Sequence, residues 1–302
     1  MASTYRNLRL DARRDLEQAG NPSAEPESMI LLMAASGKSR EEILRDDDLY
    51  APDEVIETYR DLVRRRRKEE PLAYLLGEWE FRGMDFYVDN TALIPRYDTK
   101  ILAALAVSEL EKLSGKSRLL DLCAGTGCVG ISVAAEVKTC RAVLVELADG
   151  PLDLCTRNIR RHRLTGRVVQ LKGDVKLPPS PALGQFDVVV CNPPYIPTGE
   201  IPMLDASVRN YEPAMALDGG ADGLDFYRAV LELWRPAIRP GGTLLFEVGI
   251  GQAKQVASLM VQAGYKKVLI TRDTAKIERV VSGRRPYEAE IIPFPTEKQE
   301  EV

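Results

Sequence analysis

The segment Asn192-Pro193-Pro194-Tyr195 combines residue types that can hold a planar amino group for reaction. Proline fixes its backbone and lacks an N–H, so the two prolines leave the segment rich in acceptors. The side-chain oxygen of Asn192 and the carbonyl of Pro193 can accept both hydrogens of an –NH2 group, while Tyr195 offers a flat face for stacking. Such a grip would concentrate negative charge on the nitrogen and aim its lone pair at an electrophile. The alternative is a rigid turn that binds nothing.

A glycine-rich loop lies upstream and begins just after Asp121. Gly125, Gly127 and Gly130 satisfy the G-x-G-x-x-G pattern, and Glu146, about 20 residues further on, matches the acid that bonds ribose hydroxyls in dinucleotide-binding folds. The glycines alone therefore allow a nicotinamide dehydrogenase. S-adenosylmethionine fits better, because it has no pyrophosphate and its cationic end would be attracted by the negative charge of Asp121.

Two further residues extend the predicted cofactor site. Asp174 and Val175 follow a strand-like run, where an acid can bond the adenine amino group and the valine can lie against the ring. An exposed turn residue is the alternative for Asp174. The positive charge of a sulfonium disappears when it gives up a methyl group, so a close encounter away from water is the main requirement. These residues predict methyl transfer to a planar nitrogen.

The elements that must position these residues alternate between strand-like and helix-like runs from about Asp98 onward. Such alternation predicts an α/β fold, a doubly wound and mostly parallel sheet with helices on both faces. Ligands of open α/β sheets bind beyond the carboxyl ends of the strands, which is where the loops described above fall. The strand-like runs are Arg118–Leu122, Arg141–Glu146, Val168–Lys172, Phe186–Cys191, Gly242–Val248 and Lys267–Thr271.

The 302 residues are enough for about two domains. Apolar residues recur at helical spacing over residues 1–75, which predicts a helical substrate-recognition domain. Residues 76–95 change to a strand-like period with glycines between, which predicts a β-hairpin linker. Residues 96–290 form the predicted S-adenosylmethionine-binding domain, and residues 291–302 are a predicted flexible tail.

Composition excludes several functional classes. The net charge is −4, and residues 1–90 hold 14 Lys and Arg against 20 Asp and Glu, so a nucleic-acid partner is not expected. The basic run Arg64–Lys68 is interpreted as a solvated helix end, and His162 as a solvated surface residue. No apolar run reaches the roughly 18 residues of a membrane span. Five cysteines without a C-x-x-C pair and a single histidine predict a cytoplasmic protein without a metal site, and we expect a monomer.

Together these residues resemble the class I S-adenosylmethionine-dependent methyltransferases that modify planar amino groups. More narrowly, the chain resembles the peptide chain release factor N5-glutamine methyltransferase family (HemK/PrmC type). Three further stretches carry this narrower resemblance: Trp79–Arg96, Asn210–Asp225 and Asp273–Val281.

The resemblance implies a five-helix N-terminal domain, a hairpin linker and a seven-stranded catalytic domain. It implies methyl transfer to the side-chain nitrogen of the glutamine in the Gly-Gly-Gln motif of release factors. It implies that Asn192 contacts both the cofactor and the substrate, and that the segment from Asn192 to Tyr195 binds the glutamine amide. The residues that it assigns to the cofactor are Cys123, Ala124, Gly125, Thr126, Gly127, Glu146 and Val175.

The sequence departs from the family pattern at Arg96-Tyr97-Asp98-Thr99-Lys100, where the family has Arg-Pro-Glu-Thr-Glu, and at Glu146, where aspartate is common. Three other functions stay open. The substrate could be a glutamine of another protein, such as a ribosomal protein, or an exocyclic amine of a nucleic acid. The chain could also be a module that binds release factors without catalysis, although the intact segment at Asn192 counts against it.

Overall fold

A computed structural model of the chain describes residues 3–287, so the predicted tail lies outside the described residues. No helix in residues 3–287 is long and apolar enough to cross a membrane. The helices are α1 (Tyr5–Gln18), α2 (Ala24–Ser36), α3 (Arg40–Arg45), α4 (Asp53–Arg66), α5 (Leu72–Leu76), α6 (Thr99–Glu111), α7 (Cys128–Glu136), α8 (Asp149–Arg161), α9 (Ala206–Arg209), α10 (Asp225–Leu233) and α11 (Ala253–Gln262). The strands are β1 (Glu78–Phe81), β2 (Met84–Tyr87), β3 (Ser117–Leu122), β4 (Cys140–Glu146), β5 (Val168–Lys172), β6 (Phe186–Cys191), β7 (Ile238–Glu247), β8 (Lys266–Arg272) and β9 (Glu278–Arg284).

The described residues form two compact units. The first comprises the chain up to Trp79 with Tyr87–Ile94 and Pro202–Pro213, and the second comprises Glu80–Phe86, Pro95–Ile201 and the chain from Ala214. The hairpin formed by β1 and β2 is divided between the two units. The segment Pro202–Pro213, which is distant in the sequence, belongs to the helical unit. The functional division at 1–75, 76–95 and 96–290 stays a prediction.

The first unit is helical where the apolar spacing predicts helices. Its core contains the fully buried side chains of Leu16, Leu31, Leu32, Ile43 and Tyr59.

The basic run at the end of α4 is paired with acidic side chains inside this unit. Arg65 contacts Glu70, and Arg66 Nε lies 2.6 Å from Glu27 Oε2. Much of the positive charge is therefore balanced locally. The run is at a helix end as predicted, but the Arg66 side chain is only 18% exposed and so is not solvated.

The second unit contains the predicted sheet. Among the described residues it has seven strands in the order β5-β4-β3-β6-β7-β9-β8, and β9 runs antiparallel to its neighbours. β5 and β6 have the predicted bounds, whereas β7 begins four residues earlier than predicted, at Ile238. The central strands β3 and β6 are mainly apolar because helices cover both faces of the sheet. All six residues of β6 are buried.

His162 does not lie on a solvated surface, as the sequence suggested. Its ring packs against Phe86 with the ring centroids 4.8 Å apart, and its Nε2 is buried without a hydrogen-bond partner. Burial lowers the pKa of His162, so the neutral ring is favoured. The basic residues around it in the sequence gave no sign of the aromatic side chain that the hairpin supplies.

Candidate active site

The glycine loop connects β3 to α7 in a conformation that glycine permits. Gly125 and Gly127 have φ of 55° and 78°, in the left-handed region. A Cβ atom on Gly127 would lie 2.6 Å from the sulfur of Cys155, and one on Gly130 would lie 3.0 Å from Asp121 Oδ2. Gly127 and Gly130 therefore allow α7 to pack closely against the sheet, while no side chain lies within 4 Å of the Cβ position at Gly125.

Asp121 lies beneath this loop, with only 2% of its surface exposed. Its Oδ2 accepts a 2.8 Å hydrogen bond from the backbone N–H of Gly130. Burial, reinforced by the negative charge of Glu146, raises the pKa of Asp121 to about 7. The carboxylate holds the start of α7, and its attraction for a cationic ligand stays a prediction.

Glu146 connects the loops that follow β3 and β4. Its Oε2 accepts a 2.9 Å hydrogen bond from the N–H of Gly125, and its Oε1 accepts from Leu147 and Ala148 at 2.8 and 3.2 Å. A carboxylate has about four acceptor positions, so one position on Oε2 is left for a ligand hydroxyl. This geometry fits a ribose-binding acid that is preorganised by the backbone.

The other predicted loop residues contribute mainly through their backbone. Ala124 and Thr126 are buried, and Thr126 Oγ1 accepts a 3.3 Å hydrogen bond from the N–H of Cys128. Cys123 is half-buried with a left-handed φ of 57°, and its thiol lies beside that of Cys191, whose pKa is raised mainly by burial. That contact joins the cofactor loop to the end of β6.

Asp174 and Val175 follow β5. Asp174 Oδ1 accepts a 2.8 Å hydrogen bond from the N–H of Lys176, so one of its oxygens shapes the turn. The carbonyl of Val175 accepts a buried 2.9 Å hydrogen bond from Trp234 Nε1, which fixes the valine in place. Both residues lie at the carboxyl edge of the sheet, and their contacts with adenine stay predictions.

The segment Asn192–Tyr195 leaves β6 at the same edge. Asn192 Nδ2 donates a 3.4 Å hydrogen bond to Thr99 Oγ1. Within residues 3–287, no group donates a hydrogen bond to Asn192 Oδ1 or to the carbonyl of Pro193. Asn192 Oδ1 is also not buried. The two acceptors that the sequence analysis singled out are therefore free to bind a ligand.

Two neighbouring segments hold the loop in shape. Gln252 donates a 2.8 Å hydrogen bond from Nε2 to the carbonyl of Tyr195 and accepts one from the N–H of Gly249 at 3.0 Å. A Cβ atom on Gly219 would lie 2.7 Å from Tyr195 Cα, so the glycines after Asp218 let that loop pack directly on the segment. Burial raises the pKa of Tyr195 to about 12, so its hydroxyl stays protonated at neutral pH.

Sequence reasoning missed three residues at this site: Thr99, Glu247 and Gln252. Thr99 is the first residue of α6 and lies in the segment Arg96–Lys100, where the chain departs from the family pattern. Glu247 is the last residue of β7 and is 3% exposed. Glu247 could have been identified from the sequence as an acid at the end of an apolar strand. No feature of the sequence indicated Gln252.

The site residues share one edge because β5, β4, β3 and β6 are neighbours in that order and run parallel. Their carboxyl ends present Asp174, Glu146, the glycine loop and Asn192 side by side. The remaining acceptor position on Glu146, the open space at Gly125 and the fixed Val175 suit a nucleoside with a ribose hydroxyl. The residues present therefore fit S-adenosylmethionine.

Comparisons with known proteins agree with this geometry. Residues 7–77 match the family model of the PrmC N-terminal domain, and residues 99–204 match that of the methyltransferase small domain. The chain is 39% identical to a release factor glutamine methyltransferase of Geobacter sulfurreducens, over 89% of this chain and 92% of that protein. It is 33% identical to the protein of the same name from Clostridium botulinum, over 93% and 99% of the two chains.

Solved structures support the fold. The hMettl16 catalytic domain, solved in complex with the MAT2A 3'UTR hairpin 6, matches with a TM-score of 0.55 at 15% identity, over 68% of this chain and 77% of that one. At this identity the likeness concerns the fold alone.

Proposed function

The chain belongs to the release factor glutamine methyltransferase family, and from this membership we propose that it transfers a methyl group from S-adenosylmethionine to the side-chain amide nitrogen of the Gly-Gly-Gln glutamine in peptide chain release factors. One observation carries the proposal for this chain. Asn192 Oδ1 and the Pro193 carbonyl are two unpaired acceptors at the carboxyl end of β6, next to the glycine loop.

The two acceptors suit an amide nitrogen in particular. An amide lone pair is delocalised into the carbonyl group, which makes the nitrogen a poor nucleophile. Asn192 Oδ1 and the Pro193 carbonyl each accept one N–H, so electron density rises at the nitrogen and its lone pair points away from both. Preorganised acceptors of this kind need no rearrangement during the reaction.

Other residues of the chain hold the reacting partners. Glu146 and the backbone around Gly125 would hold the ribose, while Val175 and Asp174 would hold the adenine. When bound, S-adenosylmethionine supplies an electrophilic methyl group. The amide nitrogen would gain this methyl group as the bond between the methyl group and sulfur breaks and a neutral thioether leaves, and the nitrogen would then lose one of its two hydrogens to solvent as a proton. No strong base is required beforehand, because the nitrogen becomes acidic once the methyl group is attached.

Transfer of a labelled methyl group to purified release factors tests the proposal. We expect label on one peptide of the release factor, the peptide that contains the Gly-Gly-Gln glutamine, and none on a release factor with that glutamine replaced. The Asn192→Ala variant is the matched control for activity at this site. Label on ribosomal protein or nucleic acid in place of release factor would contradict the substrate assignment.

A further inference from the structure

Glu247 is a buried acid beside the reactive segment, with no role in the mechanism derived above. β6 and β7 pair in parallel with Cys191 opposite Phe246, so Asn192 and Glu247 follow as neighbours at the carboxyl edge. Glu247 is 3% exposed, and its Oε2 has no hydrogen-bond partner. A buried carboxylate is costly unless it is paired, so its presence at this position calls for a function.

Thr99 connects Glu247 to Asn192. The Thr99 side chain lies close enough to the Glu247 carboxylate to lower its pKa by hydrogen bonding. Thr99 Oγ1 also accepts the 3.4 Å hydrogen bond from Asn192 Nδ2. A hydroxyl has one hydrogen and two lone pairs. If its hydrogen points to an ionised Glu247, a lone pair is left for Asn192, which must then present an N–H.

The orientation of the Asn192 amide matters because its two ends have opposite polarity. With Nδ2 held by Thr99, the free end is Oδ1, an acceptor for the N–H of a substrate amide. Rotation of the amide by 180° would present an –NH2 group to the substrate –NH2, placing donor against donor. A chain of directed hydrogen bonds from Glu247 prevents this rotation.

We propose that Glu247 is a positioning residue, which acts through Thr99 to keep Asn192 Oδ1 turned toward the substrate amide. The inference rests on the proposed function, because it names what orients the group that reads the amide. It assigns a part in the reaction to a buried acid that acts through another residue.

Charged groups from several elements surround Glu247. Arg279 and Asp98 form a 2.8 Å ion pair nearby, and Arg96 and Tyr195 also lie close. Burial raises the pKa of Glu247 to about 7 and the charge of Asp98 adds to this, while Thr99, Arg279 and Arg96 oppose it.

Protonation of Glu247 should weaken the positioning. The neutral acid can donate its own hydrogen to Thr99, so the threonine hydroxyl is no longer directed away from Asn192. Methyl transfer should therefore decline as the pH falls through about 7. Asp121 has a similar pKa, so the pH profile must be compared with that of a variant at Glu247.

Three conservative variants test the chain of hydrogen bonds. Thr99→Val removes the hydroxyl without changing the shape, Thr99→Ser restores it, and Glu247→Gln keeps the shape but can donate to Thr99 as readily as accept. We expect Thr99→Val and Glu247→Gln each to lower the single-turnover rate of methyl transfer about tenfold, the equivalent of one directed hydrogen bond. Thr99→Ser should recover most of the rate, and S-adenosylmethionine affinity should stay unchanged in all three.

The structure offers a matched control on the same helix and strand. Thr243 of β7 donates a 3.1 Å hydrogen bond to Glu109 near the end of α6, so it forms a second Thr–Glu contact between these two elements. Thr243→Val removes this bond without touching Asn192. Its rate of methyl transfer should equal that of wild type, which separates positioning from general loss of packing.

The double variant and the pH profile decide the outcome. Because Glu247 acts through Thr99, adding Glu247→Gln to Thr99→Val should cause no further loss, and the decline below about pH 7 should be absent from Glu247→Gln. Additive losses, or a decline that persists in Glu247→Gln, would overturn the inference.

A readout without substrate distinguishes this inference from the proposed function. The Asn192 side-chain N–H signals of the wild-type protein in a 15N NMR spectrum, identified by their loss in Asn192→Asp, should shift with pH through about 7 and not in Glu247→Gln. If wild type methylates no release factor but these shifts appear, the substrate assignment fails and the positioning stands. If wild type methylates release factor and the shifts do not appear, the positioning fails alone.

Discussion

Replacement of Asn192 by alanine isolates the acceptor at the reacting nitrogen, because the side chain contributes little to the stability of the fold. Its hydrogen bond to the rest of the structure is the 3.4 Å contact from Nδ2 to Thr99 Oγ1. That length lies at the weak end of the usual range, so its loss should cost less than the ~1 kcal/mol of an average hydrogen bond. We expect Asn192→Ala to unfold at nearly the temperature of wild type.

The rate of methyl transfer should fall much further than stability. With alanine at position 192, the Pro193 carbonyl would hold one N–H of the substrate amide and the other would be unbound. Loss of one preorganised electrostatic partner typically lowers a rate by about 10²–10³, or ~2.7–4 kcal/mol. Single-turnover transfer of a labelled methyl group to release factor measures this loss. Calorimetry should show a smaller change in S-adenosylmethionine affinity, because the glycine loop and Glu146 are unchanged.

Asn192→Asp is the matched variant. It keeps an acceptor oxygen at the reacting nitrogen, but its second oxygen faces Thr99 Oγ1 where an N–H was donated. We expect activity between those of Asn192→Ala and wild type. Transfer by Asn192→Ala at the wild-type rate would refute the amide-reading role, and so would an aspartate variant no more active than the alanine variant.

Three further substitutions test the parts that hold the cofactor and the sheet. Glu146→Ala should weaken S-adenosylmethionine binding by about 1.5–3 kcal/mol, the range for charge-assisted hydrogen bonds, and unchanged affinity in calorimetry would contradict the assignment. Gly127→Ala places a Cβ atom 2.6 Å from a cysteine sulfur and should lower the free energy of unfolding in urea by more than Gly166→Ala, which has a similar φ and open space. Trp234→Phe leaves the buried carbonyl of Val175 without its 2.9 Å hydrogen bond and should cost about 1–3 kcal/mol of stability. An unchanged unfolding midpoint for Trp234→Phe would show that this bond does not hold Val175 in place.

The predictions from sequence succeeded where the structural cause is local. β5 and β6 have the predicted bounds because each is a short strand-forming run between turn residues. The glycine loop falls between a strand and a helix as predicted, since the left-handed φ at Gly125 and Gly127 favours glycine whatever surrounds it. The acceptor-rich character of Asn192–Tyr195 follows from the covalent structure of proline.

The partners of the site residues were not predictable in this way. Asn192 and Thr99 are 93 positions apart in the sequence, and their contact depends on the fold. Glu247 lies near them because β6 pairs with β7. Gln252 holds Tyr195 from the loop after β7, 57 positions away. No local pattern specifies such contacts, since they depend on which strands become neighbours.

His162 and the segment Pro202–Pro213 show the same limit. A polar sequence around His162 predicted a solvated ring, yet Phe86 from the hairpin covers it. Tyr211 of the distant segment donates a hydrogen bond of 2.6 Å to the carbonyl of Lys68, within the helical unit. In both cases the burial of a side chain depends on a segment remote in the chain.

The sequence by itself therefore determined the chemical groups at the site and the elements that carry them. Residue type sets which atoms can accept or donate, and short-range periodicity and backbone preference set strands, helices and turns. Only the tertiary structure determined how those groups are oriented toward a ligand. The Asn192 amide has an acceptor end and a donor end, and Thr99, placed beside it by the packing of α6 against the sheet, determines which end is free.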